Sequence, residues 1–281
     1  MYDDIGDRMK AYETVETARR FDPSLPVYAR LDGRSFHSFT KGLKRPFDSK
    51  MHRAMIETAC ALVEGTHARI GYTQSDEISL VWQAEKQDSQ IFFDGKIMKM
   101  ASVLAGLASA HFALAIRHIG FDIALQEMAP CFDCRVLQLP SRTEAANMFL
   151  WRELDASKNA VSMAARAHYS AKELYLKSSA GMLAMLADKG IKFDFHYPDW
   201  ARRGSFVRRV VTSRMLAPDE LARIPERHRP ASDTLVERSS VMRIGMPSFC
   251  NVANREEVIF DGADPVAAER RVSPEKLAAL S

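Results

Sequence analysis

The stretch Ile70-Gly-Tyr-Thr-Gln-Ser-Asp-Glu-Ile-Ser-Leu-Val81 decides the fold, because apolar and polar residues alternate on both sides of a polar tetrad that ends at Glu77. Alternation with a period of two is typical of β-strands, so the stretch predicts a hairpin with the tetrad near its tip. A second stretch, Val27-Tyr-Ala-Arg-Leu-Asp-Gly-Arg34, alternates in the same way. It predicts a strand that ends at Asp32, with Arg30 and Asp32 on one side.

Helical patterns surround these two stretches. Residues 1 to 21 and 49 to 65 carry apolar residues at helical spacing, and residues 96 to 118 give a longer apolar helix before a strand over 133 to 139. Strand, helix, hairpin, helix and strand in this order predict an α+β fold, a split βαβ antiparallel sheet with helices packed on one face. We expect the opposite face to be open for substrate.

The pattern changes beyond residue 140. Residues 142 to 189 are mainly helical, and the following part is basic and irregular, with four arginines close together: Arg202, Arg203, Arg208 and Arg209. We therefore divide the chain into a core of residues 1–140, a helical and basic region of residues 141–230 and a C-terminal extension of residues 231–281.

Composition fits a globular enzyme. The 281 residues are 27% charged and 47% apolar, which excludes wholesale disorder, and the net charge of +3 permits a nucleic-acid partner. We expect no apolar run of membrane-spanning length, and the acidic start Met1 to Asp4 is unlike a signal peptide, so we expect a cytoplasmic protein without a membrane partner. Cys131 and Cys134 form a CxxC pair, but a zinc site needs a second pair.

The acidic strand ends predict a metal site. The strand that ends at Asp32 should neighbour the hairpin that carries Asp76, so that both carboxylates converge. With the backbone carbonyl of Gly33, they make a hard oxygen set that suits Mg²⁺. Two such ions could activate an attacking oxygen and stabilise a leaving group in phosphoryl transfer. Glu77 should point the other way from Asp76 and is the less expected ligand.

The loop after the first strand is a candidate phosphate site. The segment Gly33 to His37 can offer backbone N–H groups and a hydroxyl to a triphosphate, and Lys44 and Arg45 add positive charge. Each candidate also has a structural alternative. Lys44 and Arg45 could form a solvated loop, Phe36 could lie in the core instead of stacking on a base, and His37 could be a helix or core histidine.

Together these motifs resemble the tRNA-histidine guanylyltransferase family, polymerases that add nucleotides in the 3′-to-5′ direction. The matching segments are Arg30-Leu-Asp-Gly-Arg-x-Phe-His-x-Phe39, Gly71-Tyr-x-Gln-Ser-Asp-Glu77, Arg45-Pro46, Phe132-Asp-x-Arg135, Trp151-Arg-x-x-Asp155 and Arg203-Gly204. The resemblance implies a polymerase-palm-like core, usually assembled as a homotetramer. It also implies that Asp32 and Asp76 are catalytic and that Asp32, the Gly33 carbonyl and Asp76 bind two Mg²⁺ ions.

The same resemblance implies the substrates. ATP would adenylylate a 5′-monophosphate on tRNA, and the 3′-hydroxyl of GTP or another NTP would then displace AMP. The nucleotide would bind at Asp32, Gly33, Arg34, Ser35, Phe36, His37, Lys44, Arg45, Ser75 and Asp76. A second triphosphate or the tRNA 5′ end would bind at Arg30, Arg135, Lys158, Asn159, Lys177, Ser178 and Arg203.

One segment departs from the eukaryotic members of that family. They carry a His-Ile-Asn-Asn run where this chain has Ser157-Lys158-Asn159-Ala160. The segment is more similar to the guanylyltransferase-like branch, whose members repair 5′-truncated tRNAs by template-directed addition, so we expect this activity. The alternatives are a dedicated tRNA-His guanylyltransferase, a nucleotidyl cyclase-like palm enzyme and a non-catalytic RNA-binding protein.

Overall fold

The computed structural model describes residues 3–86, 89–231 and 234–268. Within them the strands form a six-stranded antiparallel sheet. The strands are β1 (Val27–Gly33), β2 (Ile70–Gln74), β3 (Glu77–Trp82), β4 (Phe132–Gln138), β5 (Ser205–Met215) and β6 (Leu235–Ile244). They lie in the order β4-β1-β3-β2-β5-β6, with β1 beside the hairpin of β2 and β3 as the sequence predicts.

Helices lie before, between and after these strands along the chain. They are α1 (Asp3–Thr17), α2 (Phe36–Phe39), α3 (Ser49–Thr66), α4 (Ile97–Ile119), α5 (Ile123–Gln126), α6 (Arg142–Arg166), α7 (Ser179–Asp188), α8 (Phe193–His196), α9 (Asp199–Arg203), α10 (Pro218–Arg223) and α11 (Arg255–Phe260). The loop predicted after the first strand is in part helical, since residues 34–48 contain α2 and a 3₁₀ turn at Thr40–Gly42.

Helices α3 and α4 cover one face of the sheet. The Asp48 carboxylate accepts the Met51 N–H at 2.9 Å and so caps the start of α3. Fully buried residues of both helices, such as Leu62 and Phe112, pack with Leu31 of β1 in the first of two hydrophobic cores. The predicted α+β fold with a split βαβ antiparallel sheet is therefore confirmed, with α3 and α4 packed on one face.

The opposite face is not open along its whole length, which corrects the sequence expectation. Tyr28 of β1 packs edge-on against Phe149 of α6, with ring centroids 5.5 Å apart, and Phe206 of β5 packs against Phe249 at 5.1 Å. These rings belong to a second core. One accessible part of this face is the end of β1 and β4, where the Asp133 side chain is 57% exposed.

The segment after α9 is ordered into strands, which corrects its description as irregular. Strand β5 pairs with β2 on one side and with β6 on the other. Its Arg208 is 7% exposed and donates to Asp264 at 2.9 Å. This guanidinium therefore makes a contact within the fold. Strand β6 and the residues of the second core after 248 come from the predicted C-terminal extension, whose residues 269–281 lie outside the described part.

Two helices differ from expectation, α4 in its length and apolar composition and α1 in the exposure of its apolar residues. Helix α4 is long and apolar enough to cross a membrane by length and composition, which corrects the expectation that no such run is present. One of its faces packs in the first core through Met100, Leu104 and Phe112. Helix α1 is helical as predicted, but its apolar residues are exposed, including Tyr12 at 66%.

Candidate active site

The sheet brings the two predicted catalytic carboxylates to one end. Asp32 is the penultimate residue of β1, and Asp76 lies in the two-residue turn between β2 and β3. The Gly33 N–H donates to the Asp76 carbonyl at 3.0 Å, which ties the two chain segments together. Burial raises the pKa of the Asp76 carboxyl, and the nearby negative charge of Asp32 raises it further.

Gly33 is required by the local packing. A Cβ atom at this position would meet the ring of Phe36 at 2.5 Å, so no larger residue fits between Asp32 and the turn that follows.

The donor set fits Mg²⁺ better than a metal that needs a full protein cage. Among the described residues, no group of three or more His, Cys, Asp or Glu side chains is placed to hold an ion. Two carboxylates and a backbone carbonyl offer hard oxygen ligands, and Mg²⁺ keeps several waters and substrate phosphates in its shell. A cation between Asp32 and Asp76 would also relieve the repulsion that raises the Asp76 pKa.

Charges at this end of the sheet lie in rows. Asp32 is opposite Glu77 on one neighbouring strand and opposite Asp133 on the other, which makes an acidic row. The next row on the same face places Arg30 opposite Arg135. The predicted metal ligand Asp32 and the predicted phosphate-binding arginines are thus adjacent. Asp133 belongs to the acidic row, although the sequence did not single it out.

The predicted phosphate loop is partly committed to other contacts. The N–H groups of Gly33 and Arg34 donate to the carbonyls of Asp76 and Cys131 at 3.0 and 2.8 Å, so these two groups do not face a ligand as predicted. The N–H groups of residues 35–37 lie at the start of α2, where a helix has no internal acceptor for them.

The side chains of this loop divide between the core and the surface. The Phe36 ring is 3% exposed and packs against other rings, including Phe132 at 5.0 Å, so stacking of this ring on a base is excluded. His37 is exposed, and the core alternative for it is wrong. Its Nε2 lies 3.1 Å from the Ser38 hydroxyl.

An open cleft adjoins the acidic pair through Ser75, the residue before Asp76. It includes three predicted nucleotide-binding residues, Lys44, Arg45 and Ser75. Its remaining lining was not predicted and comprises Thr40, Leu43, Pro46, Phe47, Asp48, Met51, His52, Gln74, Met163, Trp200 and Ala201. The sequence signal for this lining was weak because these residues come from four separate segments.

Two rings form one wall of this cleft. His52 of α3 stacks on Trp200 of α9, with centroids 4.5 Å apart and an angle of 11° between the rings. Burial lowers the pKa of His52 to about 4, so the imidazole is neutral at pH 7. The wall is therefore an uncharged aromatic surface, and Lys44 and Arg45 contribute positive charge elsewhere in the cleft.

The residues predicted for the RNA end are only partly brought together. Arg30 and Arg135 are cross-strand neighbours. Asn159 is exposed on α6 and donates to Asp155 at 3.3 Å, while Lys158 beside it is exposed.

The other three lie on different elements. Lys177 is exposed between α6 and α7, and the Ser178 hydroxyl accepts the Gly181 N–H at 3.2 Å as the cap of α7. Arg203 forms an ion pair with Asp199 at 3.0 Å. The roles of all these residues stay predictions.

Comparison with known proteins connects this geometry to a family. A family model described as Thg1, tRNA(His) guanylyltransferase, matches residues 6–140. The probable tRNA(His) guanylyltransferase of Drosophila melanogaster is 28% identical over 155 residues, 53% of this chain and 52% of that protein. An uncharacterized protein of Acanthamoeba polyphaga mimivirus is 26% identical over 226 residues, 73% of this chain and 77% of that protein. The chain spans about half the length of the fly enzyme.

Solved structures extend the match. A bacterial tRNA(His) guanylyltransferase (Thg1)-like protein in complex with ATP shares 35% identity at a TM-score of 0.68, over 73% of this chain and 88% of that one. A second, in complex with GTP, shares 32% identity at a TM-score of 0.62, over 85% and 90%. With this identity over most of both solved chains, and with the family match across both acidic motifs, the chain belongs to the Thg1 family of tRNA(His) guanylyltransferase-like nucleotidyltransferases.

Proposed function

We propose that this Thg1-family protein is a Mg²⁺-dependent nucleotidyltransferase that extends the 5′ end of tRNA, and that it repairs 5′-truncated tRNAs by template-directed addition. The observation that carries the proposal is the hydrogen bond from the Gly33 N–H to the Asp76 carbonyl at 3.0 Å, which joins the two acidic strand ends beside a basic row and an open cleft. The solved bacterial relatives in complex with ATP and GTP support triphosphates as ligands.

The proposed reaction has two phosphoryl transfers. An oxygen of the RNA 5′-monophosphate attacks the α-phosphorus of ATP, forming an RNA-to-AMP phosphoanhydride and releasing pyrophosphate. The 3′-hydroxyl of an incoming NTP then loses its proton and attacks the RNA 5′-phosphorus, and AMP leaves. A 5′-triphosphate end would need only the second step, with pyrophosphate as the leaving group.

The chain's own residues have separate tasks in this scheme. Asp32, the Gly33 carbonyl and Asp76 would hold two Mg²⁺ ions, which when bound activate the attacking oxygen and stabilise the leaving group. Arg30 and Arg135 would hold phosphates of the RNA end or of a second triphosphate.

The nucleotide would occupy the cleft, where Lys44 and Arg45 add positive charge and the His52–Trp200 wall offers a neutral surface to a base.

The choice of repair over dedicated guanylylation depends on the segment after Asp155. Lys158 and Asn159 are exposed there, and the Ser157 hydroxyl donates to the Glu153 carbonyl at 2.9 Å within α6. A lysine suits a phosphate, whereas reading one tRNA needs groups that recognise base edges. The homotetramer and the cytoplasmic location stay predictions beside this proposal.

The test is incubation with labelled NTPs, ATP, Mg²⁺ and a 5′-monophosphorylated tRNA that lacks its first nucleotide. We expect a product one nucleotide longer, dependent on both ATP and Mg²⁺. A cyclic nucleotide would show the cyclase alternative instead. Binding of the tRNA without any product, under conditions where a bacterial Thg1-like enzyme is active, would favour the non-catalytic RNA-binding protein.

A further inference from the structure

Glu77, the acidic residue next to Asp76, is held by Arg152 of α6. Arg152 donates from Nε to Oε1 of Glu77 at 2.6 Å and from Nη2 to Oε2 at 2.8 Å. The two side chains are only 12% and 14% exposed. Two parallel charge-assisted bonds between a guanidinium and a carboxylate fix both the position and the orientation of the carboxylate.

Arg152 is itself fixed by groups on its own helix. Its Nη2 also donates to Asp155 at 3.1 Å, and its guanidinium lies 4.6 Å from the ring centre of Trp151. Arg30 approaches the same carboxylate of Glu77 with its Nε at 3.8 Å from Oε2. Both oxygens of Glu77 therefore face arginine nitrogens.

The position of Glu77 makes this arrangement consequential. Glu77 is directly opposite Asp32 in the register of β1 and β3, so the two side chains share a face. Cβ atoms of such cross-strand neighbours are about 5 Å apart. A Glu77 carboxylate without its arginine could rotate toward the oxygens of Asp32 and Asp76 and add a third negative ligand to the metal site.

We propose that Arg152 is a positioning residue that keeps Glu77 off the metal site, so that the site retains two carboxylates. This inference rests on the proposed function for the identity of the metal ligands. Two carboxylates leave room for the waters and phosphates that Mg²⁺ retains, whereas a third would bind the ion more tightly and occupy a substrate position.

The test measures Mn²⁺ binding to the full chain without nucleotide or RNA, by electron paramagnetic resonance of free Mn²⁺. In Arg152→Gln, the freed Glu77 should tighten Mn²⁺ binding by about tenfold, because ligand charge sets the affinity of such sites. The double variant Arg152→Gln with Glu77→Gln should return to the wild-type value. Glu77→Gln alone should bind Mn²⁺ within a few-fold of wild type, since Glu77 is not a ligand in our proposal.

Matched variants separate this role from folding. Arg142→Gln removes an arginine at the first position of α6 that donates to Gln83 and Asp261, and it should leave Mn²⁺ binding unchanged. Arg152→Lys keeps the charge without the two-point geometry and should give an intermediate affinity in a folded protein.

Two results would overturn the inference. One is Mn²⁺ binding in Arg152→Gln and Arg152→Lys that is no tighter than wild type. The other is a large loss of binding in Glu77→Gln, which would make Glu77 a ligand. Because no RNA is present, tighter Mn²⁺ binding by Arg152→Gln would support the role of Arg152 even if nucleotide addition to tRNA were never observed.

Discussion

Arg30 on β1 lies directly opposite Arg135 on β4 in the register of the sheet. Like charges directly opposite each other on neighbouring strands destabilise the pair. Nearby carboxylates only partly offset this repulsion between the arginines. The Arg30 Nε lies 3.8 Å from Oε2 of Glu77, and the Arg135 Nε lies 4.0 Å from Oδ1 of Asp133. An anion bound across both guanidinium groups would remove the repulsion, so the pair is suited to a phosphate.

Replacing Arg135 with Gln should therefore weaken use of the RNA without weakening the fold. We expect the KM for 5′-monophosphorylated tRNA to rise by about tenfold, and the dependence of log K on log salt to become shallower by about 0.7–0.9 for one lost phosphate contact. Filter binding across a salt series measures this slope. Arg117→Gln, on the exposed side of α4, is the control, and an equal slope change in both variants would remove the special role of Arg135.

The acidic pair gives a sharper prediction. Asp32→Asn and Asp76→Asn should each lower nucleotide addition by orders of magnitude, because a neutral amide does not balance the metal charge and metal stabilisation contributes several kcal/mol. Both variants should unfold at nearly the wild-type temperature.

Asp133→Asn is the matched control, because this residue is also opposite Asp32 but is 57% exposed and near Arg135. We expect it to retain activity within a few-fold. Turnover near the wild-type rate in Asp32→Asn at saturating Mg²⁺ would contradict the two-carboxylate site.

Glu153 predicts a pH dependence of stability. This α6 residue is 2% exposed, and its carboxylate accepts the Phe249 N–H at 2.7 Å and the Ser248 hydroxyl at 3.0 Å. Burial raises its pKa from 4.5 to about 6. The folded state therefore holds this proton more tightly than the unfolded state, and the resulting stability is present below pH 4.5 and is lost as the pH rises through 6.

Glu153→Gln should abolish that part of the dependence. Urea unfolding at a series of pH values should show wild type losing up to about 2 kcal/mol relative to Glu153→Gln between acidic and neutral pH. Glu153→Ala, which lacks an acceptor for Phe249, should be less stable at every pH. Parallel pH profiles for wild type and Glu153→Gln would mean that the carboxylate does not titrate in this window.

Substrate choice can be decided with a panel of tRNAs of several identities, each shortened at the 5′ end and offered the four NTPs separately. Since Lys158 replaces a residue of the eukaryotic segment, we expect the opposing base to select the nucleotide, with complementary addition on every tRNA. Extension should slow once the acceptor stem is fully paired. Addition of G to tRNA-His alone, whatever the opposing base, would identify a dedicated guanylyltransferase.

Local patterns explain which parts of the fold the sequence predicts. The hairpin around Asp76 and the strand before Gly33 depend on short-range alternation, and their pairing follows from adjacency. Strand β5 was missed because its arginines at 208, 209 and 214 obscure the alternation. Its partner β6 begins twenty positions after β5 ends, so pairing depends on contacts that periodicity does not report.

The residues of the site also divide into those that local motifs predict and those that only tertiary packing brings together. Asp32 and Asp76 stand in motifs that can be read from the chain, whereas the stack of His52 on Trp200 joins residues that are far apart in sequence. The ion pairs of Arg203 and Arg208 were not predicted, since the sequence does not show that Asp199 and Asp264 lie beside them. Partner choice among charges is set by tertiary packing.

The second core has a consequence for how the protein is made. Tyr28 and Tyr72, on strands that lead to the acidic end, share the second core with residues between 249 and 260, which a ribosome translates after both acidic residues. Until those residues emerge, the nascent chain exposes aromatic side chains on an otherwise formed sheet. We expect that premature stop codons before residue 249 yield chains that chaperones or proteases remove, even though every residue of the acidic pair has already been translated.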